Sequence, residues 1–209
     1  MELAICVADP SVSDGSEAEI RGLPFGEAET ERLLAIKNPS ARRQSVCARL
    51  ALHPLLLEKG IPPLPITRTA NGKPCFAGNG NLHFSLSHSP LLVAAALSDE
   101  PVGIDVETER RGRDETAIVR RFFTEEEQRL WAQAPTSERF YALWTKKEAA
   151  AKLDGGGLLG ARNSDCVIRT FRLMHGDTPV FLSIAANRPI ETIRWIFYKK
   201  ELIIDELPN

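Results

Sequence analysis

The sequence has no CxxC pair, and none of its four cysteines (Cys6, Cys47, Cys75, Cys166) has a histidine partner at zinc-like spacing. Neither a structural zinc site nor a thioredoxin-like redox motif is expected. A chain of this size needs no disulfide framework, so the cysteines are expected as reduced thiols of a cytoplasmic protein. No apolar run is long enough to cross a bilayer. The short N-terminal run from Leu3 to Ala8 ends at Asp9-Pro10, which fits neither a signal peptide nor a membrane span. Strong charge of one sign is also lacking: 26 Lys plus Arg stand against 28 Asp plus Glu, so nothing in the balance points to nucleic acid. With no GxxxxGK(S/T) loop and no GxGxxG, nucleotide binding of those kinds finds no support.

What is present is an ordinary globular composition, 43% apolar and 26% charged over 209 residues, enough for one large domain or two small ones. Leu3 to Val7 reads as a short buried strand. Glu27 to Ile36 and Ser40 to Glu58 read as helices, the second with Ser40 as N-cap and a stripe at Val46, Leu50 and Leu57. Three prolines make Ile61 to Pro65 a connector, and Asn71-Gly72 and Gly78 to Asn81 are turn signals. Strand patterns follow at Leu82 to Ser87, Leu91 to Leu97 and Val102 to Glu107, the middle one apolar enough to be buried on both faces. Helices are expected at Thr116 to Phe123, at Thr124 to Gln133 with a Thr124/Glu127 capping box, and at Ser137 to Leu153, which stops at Gly155-Gly156-Gly157. Strands are expected again at Cys166 to Leu173, Val180 to Ala186 and Thr192 to Lys199. Helices followed by strands thus occur twice, which suggests two similar α+β halves.

Four segments carry chemistry. In Gly103-Ile104-Asp105-Val106-Glu107, strand alternation puts Asp105 and Glu107 on one face. Two carboxylates there are costly unless a cation neutralises them, and oxygen ligands of this kind suit magnesium. The competing reading is a strand end whose acids reach solvent. On the helix Trp144 to Lys152, Glu148 and Lys152 are four apart, about 40° from one another on one face, and an ordinary salt bridge explains that spacing. In Phe84-Ser85-Leu86-Ser87-His88-Ser89, hydroxyls and an imidazole sit where strand becomes turn, a usual position for anion contacts. A serine-hydrolase reading of Ser87 and His88 lacks the GxSxG elbow and a suitably placed acid. Arg68 to Pro74 presents two cations around a tight turn.

Taken in order, Gly72-Lys73-Pro74, Phe84 to Ser89, Gly103 to Glu107, Phe122-Phe123-Thr124 and Trp144 to Ala149, ending with Lys152 and Gly155-Gly156-Gly157-Leu158, resemble the 4′-phosphopantetheinyl transferases. The likeness is to the larger, surfactin-synthetase-activating type and spans roughly Arg43 to Leu158. Each motif is weak alone; five in order at near-family spacing are specific. The resemblance implies a pseudo-dimeric α+β fold of two similar halves in one monomer, with coenzyme A in the cleft between them. Residues 1–100 would form the N-terminal half contacting the phosphates and adenosine, and residues 101–209 the half carrying the metal ligands and catalytic helix. By the same resemblance Asp105, Glu107 and Glu148 match magnesium ligands, and Glu148, Lys152 and Asp105 the catalytic positions. Lys73, Ser87 and His88 match coenzyme A contacts, Lys152 would meet the leaving phosphate, and Arg43, Arg49 and Arg68 sit where relatives place further cations. Three alanines after Lys147-Glu148 depart from the bulkier pair of many relatives.

The implied reaction moves the 4′-phosphopantetheine group of coenzyme A onto a serine of an apo acyl or peptidyl carrier protein, releasing 3′,5′-ADP. Glu148 or a metal-bound water would take the serine proton. A basic cluster, Arg110, Arg111, Arg113, Arg120 and Arg121, is followed by Glu125 to Glu127. A solvated helix face explains it; docking of an acidic carrier near Arg113, Arg120 and Arg121 is the functional alternative. The rivals in other classes are a non-catalytic module that binds coenzyme A or carrier, and an unrelated magnesium phosphohydrolase. A monomer without membrane or nucleic-acid partners is expected.

Overall fold

The computed structural model describes residues 1–155, 166–198 and 202–208. Gly156, Gly157, Leu158 and Lys199, invoked above, lie outside the described residues. The chain runs through strand β1 (Glu2–Ala8), a 3-10 turn (Pro10–Val12) and helices α1 (Glu17–Arg21), α2 (Glu27–Leu34) and α3 (Pro39–Glu58). A small hairpin, β2 (Ile66–Arg68) and β3 (Pro74–Phe76), precedes strands β4 (His83–His88), β5 (Val93–Ser98) and β6 (Val102–Thr108). Helices α4 (Glu115–Phe122), α5 (Glu125–Ala132) and α6 (Ser137–Asp154) follow, then strands β7 (Val167–His175), β8 (Thr178–Ala186), β9 (Thr192–Tyr198) and β10 (Ile203–Leu207). The fold is α+β.

The strands form two four-stranded sheets, in the orders β4-β5-β1-β9 and β10-β7-β8-β6. β1 shows how they stack. Ala4, Cys6 and Ala8 face a core shared with α3, while Leu3, Ile5 and Val7 face a second core shared with β6, β7 and β8. Small residues on one side let α3 lie close, and branched residues on the other fill the space between sheets. On the far side of the second sheet, Phe140, Tyr141, Trp144, Ala149 and Leu153 of α6 pack on Phe181 and Ala185 of β8. The layers are therefore helix, sheet, sheet, helix. β9, late in the chain, lies in the first sheet, parallel to β1.

β4 and β6 are edge strands of different sheets, and serine side chains join them. Ile104 N–H donates to Ser85 Oγ at 3.0 Å, Val106 N–H to Ser87 Oγ at 3.1 Å, and Thr108 Oγ1 to Ser89 Oγ at 2.8 Å. The alternation of serine with apolar residues in β4 thus satisfies backbone donors of β6 that would otherwise be buried without partners.

Most expected elements are present, and several details differ. Asn38, not Ser40, caps α3: its Oδ1 accepts from Ala41 N at 3.0 Å, because Pro39 occupies the first helical position and has no N–H to lose. The buried stripe of α3 is Val46, Cys47, Ala48, Ala51, Leu52, Leu55 and Leu56; Leu50 is half-buried and Leu57 is exposed. The Thr124/Glu127 capping box forms as expected. None of the four cysteines is in a disulfide. Among the described residues no helix is long and apolar enough to cross a membrane.

Candidate functional site

Positions 103, 105 and 107 of β6 share the face turned toward α6. Gly103 has no side chain there, and a Cβ would overlap the Ala149 carbonyl and approach Leu153 N, so the helix lies directly on the strand. That contact brings Glu148 and Lys152 of α6 beside Asp105 and Glu107 of β6. Ile104 and Val106 face the inter-sheet core, as strand alternation requires.

Asp105 is buried. Its Oδ1 accepts from Lys152 Nζ at 2.7 Å and Ser87 Oγ at 2.9 Å, while its Oδ2 is buried with no hydrogen-bond partner. Glu107 accepts from the Trp144 indole N–H at 3.3 Å and pairs with Arg113 at 3.5 Å and Arg110 at 3.8 Å. Burial and repulsion from Asp105 nonetheless raise its carboxyl above the ordinary range. Glu148 is pushed up to about 7, first by burial, then by Asp105 and Glu107, against the favourable charge of Lys152. The i,i+4 salt bridge is not what Lys152 makes: its ammonium donates to Asp105 and to Ser87 Oγ at 2.8 Å.

Three neighbouring carboxylates, Glu107 and Glu148 with raised proton affinity and Asp105 with an orphaned buried oxygen, are a donor set suited to a hard divalent cation. As they stand, no group of three His, Cys, Asp or Glu among the described residues has a metal-holding arrangement. The donor chemistry fits a magnesium ion; closing on one requires the carboxylates to draw together.

A cleft of about 270 Å³ opens beside Glu148 and Lys152. It is lined by Asn71 to Pro74 of the β2–β3 turn, by Phe84 to Leu86 of β4, and by Glu148, Ala151, Lys152 and Gly155 of α6 and its cap. Lys73 lies in its wall, but its ammonium donates to the Val102 and Leu153 carbonyls at 3.2 and 3.0 Å, capping the C-terminal end of α6. Desolvation there lowers its proton affinity. Gly155, with φ of 70°, ends the helix in the left-handed conformation.

The remaining expected residues are placed unequally. Ser87 is saturated: its proton goes to Asp105, and its oxygen accepts from Val106 N and Lys152. His88 presents its ring at the end of β4. Partial desolvation, then the charges of Lys152 and Arg49, hold its imidazole below the usual value. Arg49 is buried, bound to Glu29 through Nε at 2.8 Å and to the Ser45 carbonyl at 3.0 Å, so it braces α2 against α3. Arg68 is exposed and donates to the Gly72 carbonyl at 2.6 Å; its charge also reaches Arg49. Arg43 is exposed on α3. Arg113 is not on the open surface: it stacks over the Phe140, Tyr141 and Trp144 rings and pairs with Glu107. Arg120 and Arg121 are exposed.

Trp144, Arg113 and the serine ladder were not identified as parts of this site from sequence. Trp144 reads as an apolar helix residue, and nothing local announces that its N–H meets an acid on β6. The ladder left a trace, the repeated Ser-x-Ser-x-Ser of β4, which signals a strand edge that must satisfy someone else's backbone.

Residues 101–200 match the model of the 4′-phosphopantetheinyl transferase superfamily. The chain is 38% identical over 118 residues to the 4′-phosphopantetheinyl transferase psf-1 of Bacillus pumilus, covering 52% of this chain and 50% of that protein. It is 30% identical over 155 residues to the 4′-phosphopantetheinyl transferase Sfp of Bacillus subtilis strain 168, covering 65% of this chain and 67% of that protein. Against the 4′-phosphopantetheinyl transferase AcpT of Salmonella typhimurium the figures are 36% over 107 residues, 49% of this chain and 56% of AcpT. The matched stretch thus spans from half to two thirds of these relatives.

Proposed function

Because the chain belongs to the 4′-phosphopantetheinyl transferase superfamily, we propose that it transfers 4′-phosphopantetheine from coenzyme A to a serine of an apo carrier protein. The observation that carries this reading is the meeting of Asp105 and Glu107 of β6 with Glu148 and Lys152 of α6, the latter two lining a cleft closed on its other sides by β4 and the β2–β3 turn.

The carrier serine oxygen attacks the β-phosphorus of coenzyme A; the bond from that phosphorus to the bridging oxygen breaks, and 3′,5′-ADP leaves. Such a transfer asks the protein for positioning and for neutralisation of phosphate charge. Asp105, Glu107 and Glu148 would hold a magnesium ion, which supplies charge neutralisation at the pyrophosphate. Glu148, which lines the cleft, accepts the serine proton. Lys152 meets the charge growing on the leaving phosphate. His88, whose imidazole feels the charges of Lys152 and Arg49, faces the 3′-phosphate, with Arg68 nearby in the same electropositive region. Lys73 acts on the cleft through α6, whose end it holds. Arg49 supplies charge at a distance, and Ser87 holds Asp105 and Lys152 in place.

Each sheet carries one long helix, α3 or α6, which supports a pseudo-dimeric monomer: residues 1–100, joined by β9 from the end of the chain, serve the phosphates and adenosine, and the rest of 101–209 the metal and the chemistry. The exposed Arg120 and Arg121 are the docking face for an acidic carrier. The reaction takes place in the cytoplasm, in keeping with four cysteines outside any disulfide. Intact mass of purified apo carrier proteins, after incubation with this protein, magnesium and coenzyme A, tests the reading. A gain of one phosphopantetheine arm is expected only with metal; no gain on any carrier would refute it.

A further inference from the structure

Lys152 is bonded in an unusual way for a group meant to meet substrate. Its ammonium sits 2.7 Å from Asp105 Oδ1 and 2.8 Å from Ser87 Oγ, although its side chain is still 32% exposed to the cleft. Ser87 cannot turn away, because its proton is committed to Asp105 and its second lone pair to Val106 N–H. Asp105 is anchored by the same hydroxyl and leaves only Oδ2 unused. Glu107 and Glu148 stand close enough to Asp105 for its charge to raise both. Without some cation, a buried carboxylate with two acids around it would be a costly arrangement.

We propose that Lys152 is the resident counter-ion of Asp105, as Arg113 and Arg110 are of Glu107, holding Asp105 in place when no divalent ion is bound and competing with that ion for it. The inference rests on the reading of Asp105, Glu107 and Glu148 as carboxylates that hold a divalent cation. An ion taken up at the unused Asp105 Oδ2 would lie beside the ammonium held on Oδ1, and the repulsion between the two cations frees the lysine for a phosphate entering the cleft it already lines. Metal loading and phosphate binding are thereby coupled through one side chain. The coupling is positive, since each step removes the other's competitor.

The competition has a sign that a purely structural lysine would not produce. Lys152→Met deletes the competing charge, so magnesium measured by calorimetry in the absence of coenzyme A should bind about tenfold more tightly, an ordinary ion-pair contribution. Lys152→Arg, which keeps the charge, should stay near wild type. If Lys152 instead served to orient Asp105 for the ion, Lys152→Met would bind magnesium equally or less tightly, and the proposal would fall. A wild-type experiment needs no variant to fold: the Lys152 ammonium resonance, followed by nitrogen-detected NMR during a magnesium titration, should lose the shift of an ion-paired amine. An unchanged resonance at saturating metal overturns the competition while leaving the metal site standing. Absence of any magnesium binding to wild type overturns the carboxylate reading and this proposal together.

Discussion

Replacing Glu148 with Gln in metal-free protein should raise stability at alkaline pH and leave it unchanged in acid. The side chain is half-buried, and burial together with Asp105 and Glu107 carries its carboxyl from an ordinary 4.5 to about 7. A raised carboxyl means that the folded state binds the proton more tightly than the unfolded chain. Stability is therefore greatest below the unfolded value and is lost as pH rises from about 4.5 through about 7. The full shift corresponds to roughly 3 kcal/mol at about 1.4 kcal/mol per pH unit, and solvent screening of a partly exposed group cuts this to about 1.5 kcal/mol. Gln carries no charge and escapes the penalty. Urea unfolding in the presence of chelator, at pH 4.5, 6, 7 and 8.5, should show the two proteins nearly equal at the lowest value. By the highest, the variant should lead by about 1.5 kcal/mol. Saturating magnesium should reverse the order, since only the wild type has the third carboxylate to offer. A difference that stays flat across pH, or that favours wild type at 8.5 without metal, would refute the electrostatic account of the acid cluster.

Gly103→Ala places a methyl group into the backbone of α6, so it should cost about 3 kcal/mol in urea unfolding, at the upper end for overpacking, and should abolish transfer with it. Ser87→Ala removes one acceptor from Val106 N–H, one from Lys152 and one donor to Asp105, and a loss of about 2 kcal/mol is expected by the same measurement. Arg49→Met strands Glu29, which Arg32 alone then partners, and should lower stability by about 3 kcal/mol at pH 7 in thermal melts; a small effect would reopen Arg49 as a substrate contact. Charge reversal of Arg120 and Arg121 should raise KM for carrier several-fold, with an effect that fades at high salt, while the melting temperature stays constant.

Strand alternation alone was enough to separate Asp105 and Glu107 from Ile104 and Val106, because a two-residue period leaves no other choice. The opposite pattern, a nearly continuous apolar run without alternation, marked β5, which is buried on both faces. Helix α6 was legible from its apolar side and the glycines that end it, though its cap, Thr136, was not. Nor was the partner of Lys152. Within a helix, Glu148 is the obvious neighbour, and only the close fit at Gly103 brings Asp105 of β6 within reach. Arg113 looked like a surface cation and Arg49 like a substrate contact for a related reason: a guanidinium's burial is decided by which aromatic or acid comes to meet it, and those lie at distant points of the chain. The placement of β9 beside β1 depends on a pairing across most of the sequence, and the short strand β10 on one that skips past β8 and β9 to β7, neither of which a local pattern encodes.

The serine seam between β4 and β6 gives one strand two kinds of amide. Those facing β8 are bonded to carbonyls of their own sheet, and breaking them means unzipping a main-chain ladder. Ile104 and Val106, which alternate with them, are held only by hydroxyls that can rotate. A small parting of the sheets would expose these two to solvent while their neighbours stay closed, so adjacent amides in β6 should exchange their hydrogens on separate clocks. The carboxylates at 105 and 107 ride on the slow set, which keeps them fixed to the second sheet even while the seam beside them breathes.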